Sequence, residues 1–391
     1  MKVLFYLLLV YYILDMLFPH GDISTESMRI FPQSTMALCC IYCMYINIKN
    51  SRIIQQQNLF SSYYLLVAIA LCYVLYPFED MMLLYNNTLF FLKSYMAIIF
   101  MFSLFIYLEK DSEQTMSYIY KLYIIQLIYG FYKLYVDRTR FEILEEHELF
   151  DSNAGFMLIC LLPMALTLPL KRLRLYICAA VVLGCVYSGQ RSAALAAILC
   201  APFCISYLKS CIKKIDILFF VFAFIFIVLP ILNDAILNIQ MRNEVDMEKD
   251  SFGSGRSIFW KHVWDGFWSG NILQILFGNG TNTVPILLKR TYGMSIGAHS
   301  GWLDILYTFG IIGFFLYVKS IFIFLFKNKM VNRCLPGMKN MFLILFILFF
   351  VKCSTSHGYY DITVMPFTMT IAIIVHQICV KKRALYDIKY K

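Results

Sequence analysis

Residues 302–326 read WLDILYTFGIIGFFLYVKSIFIFLF, an apolar run from Trp302 to Phe326 broken by Asp304 near its start and by Lys319. At about 1.5 Å of rise per residue, a helix of this length crosses the roughly 30 Å hydrocarbon core of a bilayer. The strict apolar/polar alternation of an outer-membrane strand is missing. Comparable runs lie on both sides of it. They are Val3 to Phe18, Ile30 to Ile48, Phe60 to Tyr76, Leu89 to Leu108, Met116 to Val136, Ala154 to Leu170, Leu173 to Tyr187, Ser192 to Leu208, Ile215 to Leu232, Met338 to Val351 and Ile362 to Val380. The expected fold is all-α: residues 1–391 form a single integral membrane domain, a polytopic helical bundle of about twelve spans.

Composition supports this class. The chain is 60% hydrophobic and 17% aromatic, with a mean hydropathy of +0.68. That leaves too little polar surface to cover a soluble globule of this length. The first run follows Lys2 but ends at Pro19-His20-Gly21-Asp22 without a pair of small residues for cleavage, so an uncleaved first helix is expected. The net charge of +10 is dispersed among short inter-helix loops and forms no single stripe, which speaks for topology rather than nucleic acid. Lys171, Arg172, Arg174, Lys213, Lys214, Lys327, Lys329, Arg333, Lys381, Lys382 and Arg383 fall on one side when loops alternate. The positive-inside bias makes that side, and both termini, cytoplasmic. The thirteen cysteines lie almost entirely in apolar runs, as small buried side chains would, and suggest neither a disulfide framework nor a metal site.

Two segments are left outside, 137–153 and 233–301. The longer one carries Asp234, Arg242, Glu244, Asp246, Glu248, Asp250 and Arg256, three of the four tryptophans, and the glycine pairs Gly253/Gly255 and Gly278/Gly280. From Arg256 onward, apolar residues at 259, 260, 263, 264, 267 and 268 share one helical face, with Lys261, His262 and Asp265 on another. An amphipathic interfacial helix with tryptophans at headgroup level is expected there.

Three residues stand out chemically. Arg191 opens an apolar helix at the outer face, in Ser188-Gly189-Gln190-Arg191-Ser192-Ala193. A cation there opposes both the helix dipole and the positive-inside bias. Together with the free amides of the first turn it would suit an anion such as phosphate; alternatively it reaches lipid headgroups. Arg256 occupies the equivalent place on the interfacial helix and admits the same two readings. His299, just before Trp302, has the chemistry of a general acid or base, or of a hydrogen-bonded loop residue. The six histidines show no metal-ligand spacing, and the Gly-x-Gly pairs follow no strand, so neither zinc nor a nucleotide is indicated. Lys93, Lys121, Lys133 and Lys319 lie within or at the ends of apolar runs, where long stems can carry an ammonium to the interface.

Five short motifs, in order, resemble the O-antigen polymerase and O-antigen ligase superfamily. They are Asp151-Ser152-Asn153-Ala154-Gly155, Ser188-Gly189-Gln190-Arg191-Ser192-Ala193, Gly255-Arg256 with Trp260, Phe277-Gly278-Asn279-Gly280, and His299 with Leu303, Gly310 and Gly313. The chain departs from the family pattern at Ser300, where Asn is usual. The resemblance implies a membrane glycosyltransferase of the bacterial inner membrane, active at its outer face on polyprenyl-diphosphate-linked oligosaccharide, with no cofactor or metal. It implies that Arg191 and Arg256 bind the diphosphate and that His299 receives the proton of the attacking sugar hydroxyl or orients it. Asn153, Asp151 and Asp304 are secondary site candidates, with Glu145 and Glu146 also placed to act as a base. A chain-length regulator, a flippase and membrane lipid are the partners implied. A polymerase of O-antigen or capsular polysaccharide is the expected activity, with a ligase to lipid A-core as the alternative. A lipid-linked oligosaccharide flippase is the alternative of another class, but it should line a central cavity with cations rather than cluster them outside.

Overall fold

The computed structural model describes residues 1–18, 28–55, 65, 67–71, 81–143, 154–209, 256–280, 283–293, 297–326, 335, 338–355 and 365–389. Among these the secondary structure is helical, with no strand. The helices are α1 (Lys2–Leu17), α2 (Ile30–Lys49), α3 (Ser51–Gln55), α4 (Met81–Lys110), α5 (Ser112–Ile143), α6 (Ala154–Ala165) and α7 (Lys171–Tyr187). They continue with α8 (Arg191–Leu208), α9 (Arg256–Trp268), α10 (Ile272–Phe277), α11 (Thr283–Tyr292), α12 (Gly301–Phe326), α13 (Lys339–Thr355) and α14 (Met365–Lys389).

The hub is α6. Its sequence AGFMLICLLPMA is apolar all round, and every one of its residues is buried. A helix without a polar face has to sit inside, and α6 packs on α5, α7, α8, α13 and α14. The small residues of α8 follow the same logic on one side only. Ala193, Ala196, Ala197, Cys200 and Cys204 are buried, while Leu195, Ile198, Leu199 and Ile205 are exposed. Small side chains at helical spacing let two backbones approach. Helix α13 takes that face, with Cys200 Sγ 4.0 Å from the Ile344 carbonyl oxygen. Polar clasps join other pairs. Asn47 of α2 donates to the Ile99 carbonyl of α4 at 3.0 Å, and Ser103 Oγ donates to Asn47 Oδ1 at 2.9 Å.

By length and apolarity alone, two described helices suffice to cross a membrane: Arg191–Leu208 and the Gly301–Lys319 part of α12. The expected count of twelve spans therefore goes beyond what these helices establish. The run Ile215 to Leu232, and most of Phe60 to Tyr76, lie outside the described residues, as do residues 144–153 and 233–255. The first external segment is shorter than its sequence suggests, because α5 continues as helix from Asp137 to Ile143.

The apolar run that begins at Trp302 is not one straight helix. Gly310 has φ 65° and ψ −169°, a break inside α12. A break strands carbonyls that the next turn would have bonded, and in a membrane these need other donors. The turn after α10 supplies them. Asn279 donates its backbone N–H to the Tyr307 carbonyl at 2.9 Å, and Gly280 donates to that of Thr308 at 3.0 Å; Asn279 Nδ2 adds a second bond to Tyr307 at 3.3 Å. Main chain meets main chain here. A Cβ on Gly278 would lie 2.2 Å from the Thr308 oxygen, and one on Gly310 would lie 2.5 Å from Gly278 N. The Phe277-Gly278-Asn279-Gly280 motif is thus a plug for a broken helix, which explains its glycines without any nucleotide.

Helices α9, α10 and α11 build a layer over α12 with its own small core of Val263, Phe267, Val284, Leu288, Ala298 and Tyr307. The expected helix at Arg256–Trp268 is present, but its apolar face divides. Val263 and Phe267 are buried inward, whereas Trp264 and Trp268 are exposed and pack edge to face, their ring centroids 5.7 Å apart. Ile272, Leu273 and Phe277 of α10 are exposed as well, which extends an apolar surface of the kind that rests in lipid.

Candidate active site

The turn between α7 and α8 is held from inside. Ser188, Gly189 and Gln190 are all buried; Ser188 Oγ donates to the Cys185 carbonyl at 2.7 Å, and Gly189 takes φ 68°. Gln190 is the residue that caps α8, yet its side chain makes no cap bond. Instead its Oε1 accepts the Phe156 N–H of α6 at 3.1 Å. Gly155 allows this approach, since a Cβ there would lie 2.3 Å from Ser188 Oγ. Ala154-Gly155 and the Arg191 turn, far apart in sequence, therefore form one packed unit with Arg191 at its rim.

Helix α13 ties this unit to the external layer. Lys352, in its last turn, places Nζ 5.0 Å from the centre of the Phe156 ring, the residue whose amide holds Gln190. One turn further on, the Thr355 carbonyl accepts Arg256 Nη1 at 2.8 Å. Between them, Ser354 Oγ accepts Trp302 Nε1 at 3.1 Å. Trp260, one turn after Arg256, donates Nε1 to the Ala298 carbonyl at 2.8 Å. The Ala298 N–H in turn donates to Asp304 Oδ1 at 3.1 Å. Residue 298 is thus gripped at both ends, and His299 follows at φ 53°. A left-handed conformation costs a non-glycine residue about 1–2 kcal/mol, so it persists only where neighbours over-determine it. The Asp304 and Trp260 bonds do so here.

Four contacts, joined along α13 and α9, thus link Gln190 and Phe156, Phe156 and Lys352, Thr355 and Arg256, and Trp260 and Ala298. The segments that carry the three residues singled out by sequence are thereby linked to one another through α6 and α13, with Arg191 and Arg256 each in a helix first turn. Asp304 is present too, with one oxygen committed to the loop. Ser300 is buried, and its carbonyl accepts the Asp304 N–H at 2.9 Å, a backbone role that serine fills as well as asparagine. Asn153, Asp151, Glu145 and Glu146 lie outside the described residues. Among the described residues, no three His, Cys, Asp or Glu side chains are grouped as metal ligands.

Sequence reasoning missed the end of α13. Of the lysines it named, Lys121 and Lys319 are exposed, with Lys121 Nζ 5.4 Å from the Tyr118 ring centre. Lys133 is half-buried, and the Lys93 side chain lies outside the description. Lys352, which was not named, is 8% exposed. The available signal was a lysine closing an apolar run on the side where the positive-inside bias disfavours it.

Residues 175–318 match the family model described as O-antigen ligase. That segment, a little over a third of the chain, is similar to the O-antigen polymerase and ligase superfamily. The matched segment runs from α7 into α12 and contains Arg191, Arg256, His299 and Asp304; Gly155, Phe156 and all of α13 lie beyond it. No protein in the curated set matches the chain. Members of this superfamily are membrane enzymes of the glycosyltransferase type that work in O-antigen and polysaccharide biosynthesis, and the match supports a bacterial membrane setting for this chain.

Proposed function

We propose that this protein is a polymerase of O-antigen or capsular polysaccharide, joining polyprenyl-diphosphate-linked oligosaccharide repeat units at the outer face of the bacterial inner membrane. The observation that supports the reading is that the end of α13 links the segments carrying Arg191, Arg256 and His299. The donor's anomeric carbon already bears a diphosphate, a competent leaving group once its charge is neutralised. Arg191 and Arg256 bind it through guanidinium groups, and their hold strengthens as negative charge develops on the departing oxygen. His299 accepts the proton of the attacking hydroxyl or orients it. Displacement from the opposite face inverts the anomeric centre. No metal or nucleotide-sugar takes part in this scheme, because the lipid-linked donor is already activated.

Transfer of finished polymer to lipid A-core is the second reading, favoured by the description of the matched family as a ligase. A flippase has no support from that match. The test is a gel of surface polysaccharide from cells carrying Arg191→Ala, Arg256→Ala or His299→Ala. Each variant should reach the membrane in normal amount and leave single repeat units in place of a ladder. Full-length ladders from these variants would refute the site assignment. Polymer retained on the lipid carrier, with no surface glycan, would make the protein a ligase.

A further inference from the structure

We infer that Lys352 is a third cation of the diphosphate site and makes direct contact with the donor's phosphates; the inference rests on the function proposed above. The starting point is its placement. Lys352 is 8% exposed, in a helix whose other buried residues, such as Leu345, Leu348, Phe349 and Val351, are apolar. Among the described residues no carboxylate forms an ion pair with it, and the partner it does have is the face of the Phe156 ring at 5.0 Å. An aromatic face offsets only part of the desolvation of an ammonium, and an anion supplies the rest. An intramembrane cation with no structural counter-ion marks a place where a charged ligand binds.

The surroundings identify that ligand. Phe156 holds Gln190, the neighbour of Arg191, and Thr355, one turn beyond Lys352, holds Arg256. Three cations therefore stand on three helices, α8, α9 and α13, that these contacts tie together. The donor's diphosphate, esterified at both ends, carries two negative charges on adjacent phosphorus centres and gains a third as the glycosyl bond breaks, which three cations match and a single lipid phosphate does not. Lysine suits the role because its ammonium is a compact point charge that adapts to a moving oxygen, whereas the arginines supply fixed forks.

The test uses the full-length protein in lipid nanodiscs, with geranylgeranyl diphosphate as probe and geranylgeranyl monophosphate and phosphatidylglycerol as comparators. Lys352→Met should weaken binding of the diphosphate about tenfold or more, weaken the monophosphate less, and leave phosphatidylglycerol unable to displace the probe. Lys352→Arg, which restores a cation, should recover most of the affinity. Without probe, the Met variant should melt no lower than the unsubstituted protein, because it removes a buried charge that pairs with no carboxylate among the described residues. Unchanged diphosphate affinity in Lys352→Met would overturn the inference, and so would a fall in melting temperature, the mark of a structural cation. Equal competition by phosphatidylglycerol would overturn it too, assigning Lys352 to headgroup binding. If the unsubstituted protein failed to bind the diphosphate, the proposed function would fall as well; if only the Arg191 and Arg256 variants lost binding, this inference alone would fall.

Discussion

Two charged clusters in this bundle solve opposite problems. On α4 and α14, Glu109 is enclosed by its partners: His376 Nδ1 lies 2.7 Å from Oε1, and Arg383 Nη2 reaches both oxygens at 2.9 and 2.7 Å. A half-buried carboxylate that meets two basic groups is finished as a structure. At the junction of α6, α8, α9 and α13 the described partners are of another kind. Arg256 bonds a carbonyl and Lys352 covers a ring, while Arg191 and Arg256 stand at helix starts where the dipole disfavours them. On the topology expected from the charge bias of the loops, the first cluster would face the cytoplasm and the second outward. The difference teaches that the first pairs its charge with a carboxylate across two helices, while under the proposed function the second offers its cations to an anionic ligand.

Exchanging the perturbations between the clusters is the strongest way to break this contrast. Arg256→Ala should reduce polymer formation about 10²- to 10³-fold, the range for removing one group that stabilises transition-state charge, with little change in melting temperature. Arg383→Ala should do the reverse, lowering melting temperature modestly while ladders keep full length. In vitro transfer on purified protein, read alongside thermal unfolding, separates the two. Equal loss of activity from both would mean that neither cluster is specialised.

How much of this was legible in the sequence follows from what kind of signal each residue leaves. Arg191, Arg256 and His299 were visible because each sits where a charge or a titratable ring is out of place at a helix start. The helical class was visible from the apolar runs. The break at Gly310 was not, because Trp302 to Phe326 is uniformly apolar and hydropathy does not register one positive φ. Nor was the role of Gly278 to Gly280, which depends on carbonyls that another helix leaves unpaired. Lys352 was missed because its importance lies in a ring from α6 and a carbonyl on its own helix end, contacts with no fixed spacing from the Arg191 or Arg256 motifs.

The plug at Gly310 gives a sharper probe of how the outward cluster is held. Gly310→Ala or Gly278→Ala would force a Cβ to within about 2.5 Å of backbone atoms at a positive φ. Neither strand of main chain can withdraw without losing the Asn279 and Gly280 bonds. We expect several kcal/mol of local destabilisation and, because α12 starts two residues after His299, loss of most activity, roughly tenfold or more. Gly293→Ala is the control. It also has positive φ (74°) but nothing within 4 Å of the added carbon, so it should cost about 1 kcal/mol and leave activity unchanged. Limited proteolysis of the external layer together with transfer assays would show whether the plug positions the site.

The smallest effect expected concerns pH at Glu109, just past the apolar run that ends at Leu108. Burial alone would push its carboxyl up, but the hydrogen bond from His376 and the charges of Arg383 and His376 outweigh it, and the group lies below the ordinary carboxylate value. A carboxylate with a lowered folded-state value adds stability at pH above the unfolded value near 4, and that stability is lost as pH falls through the lower folded value. The wild-type protein should therefore lose melting temperature as pH falls below about 4 more steeply than Glu109→Gln, whose side chain does not titrate. The two curves should converge at the acid end. Arg383 is 60% exposed, so removing it should recover only a minor part of the difference, while His376→Ala should account for more. Parallel curves for wild type and Glu109→Gln would show that the ion cluster does not join α4 to α14, and the contrast between a finished cluster and a waiting one would lose its first half.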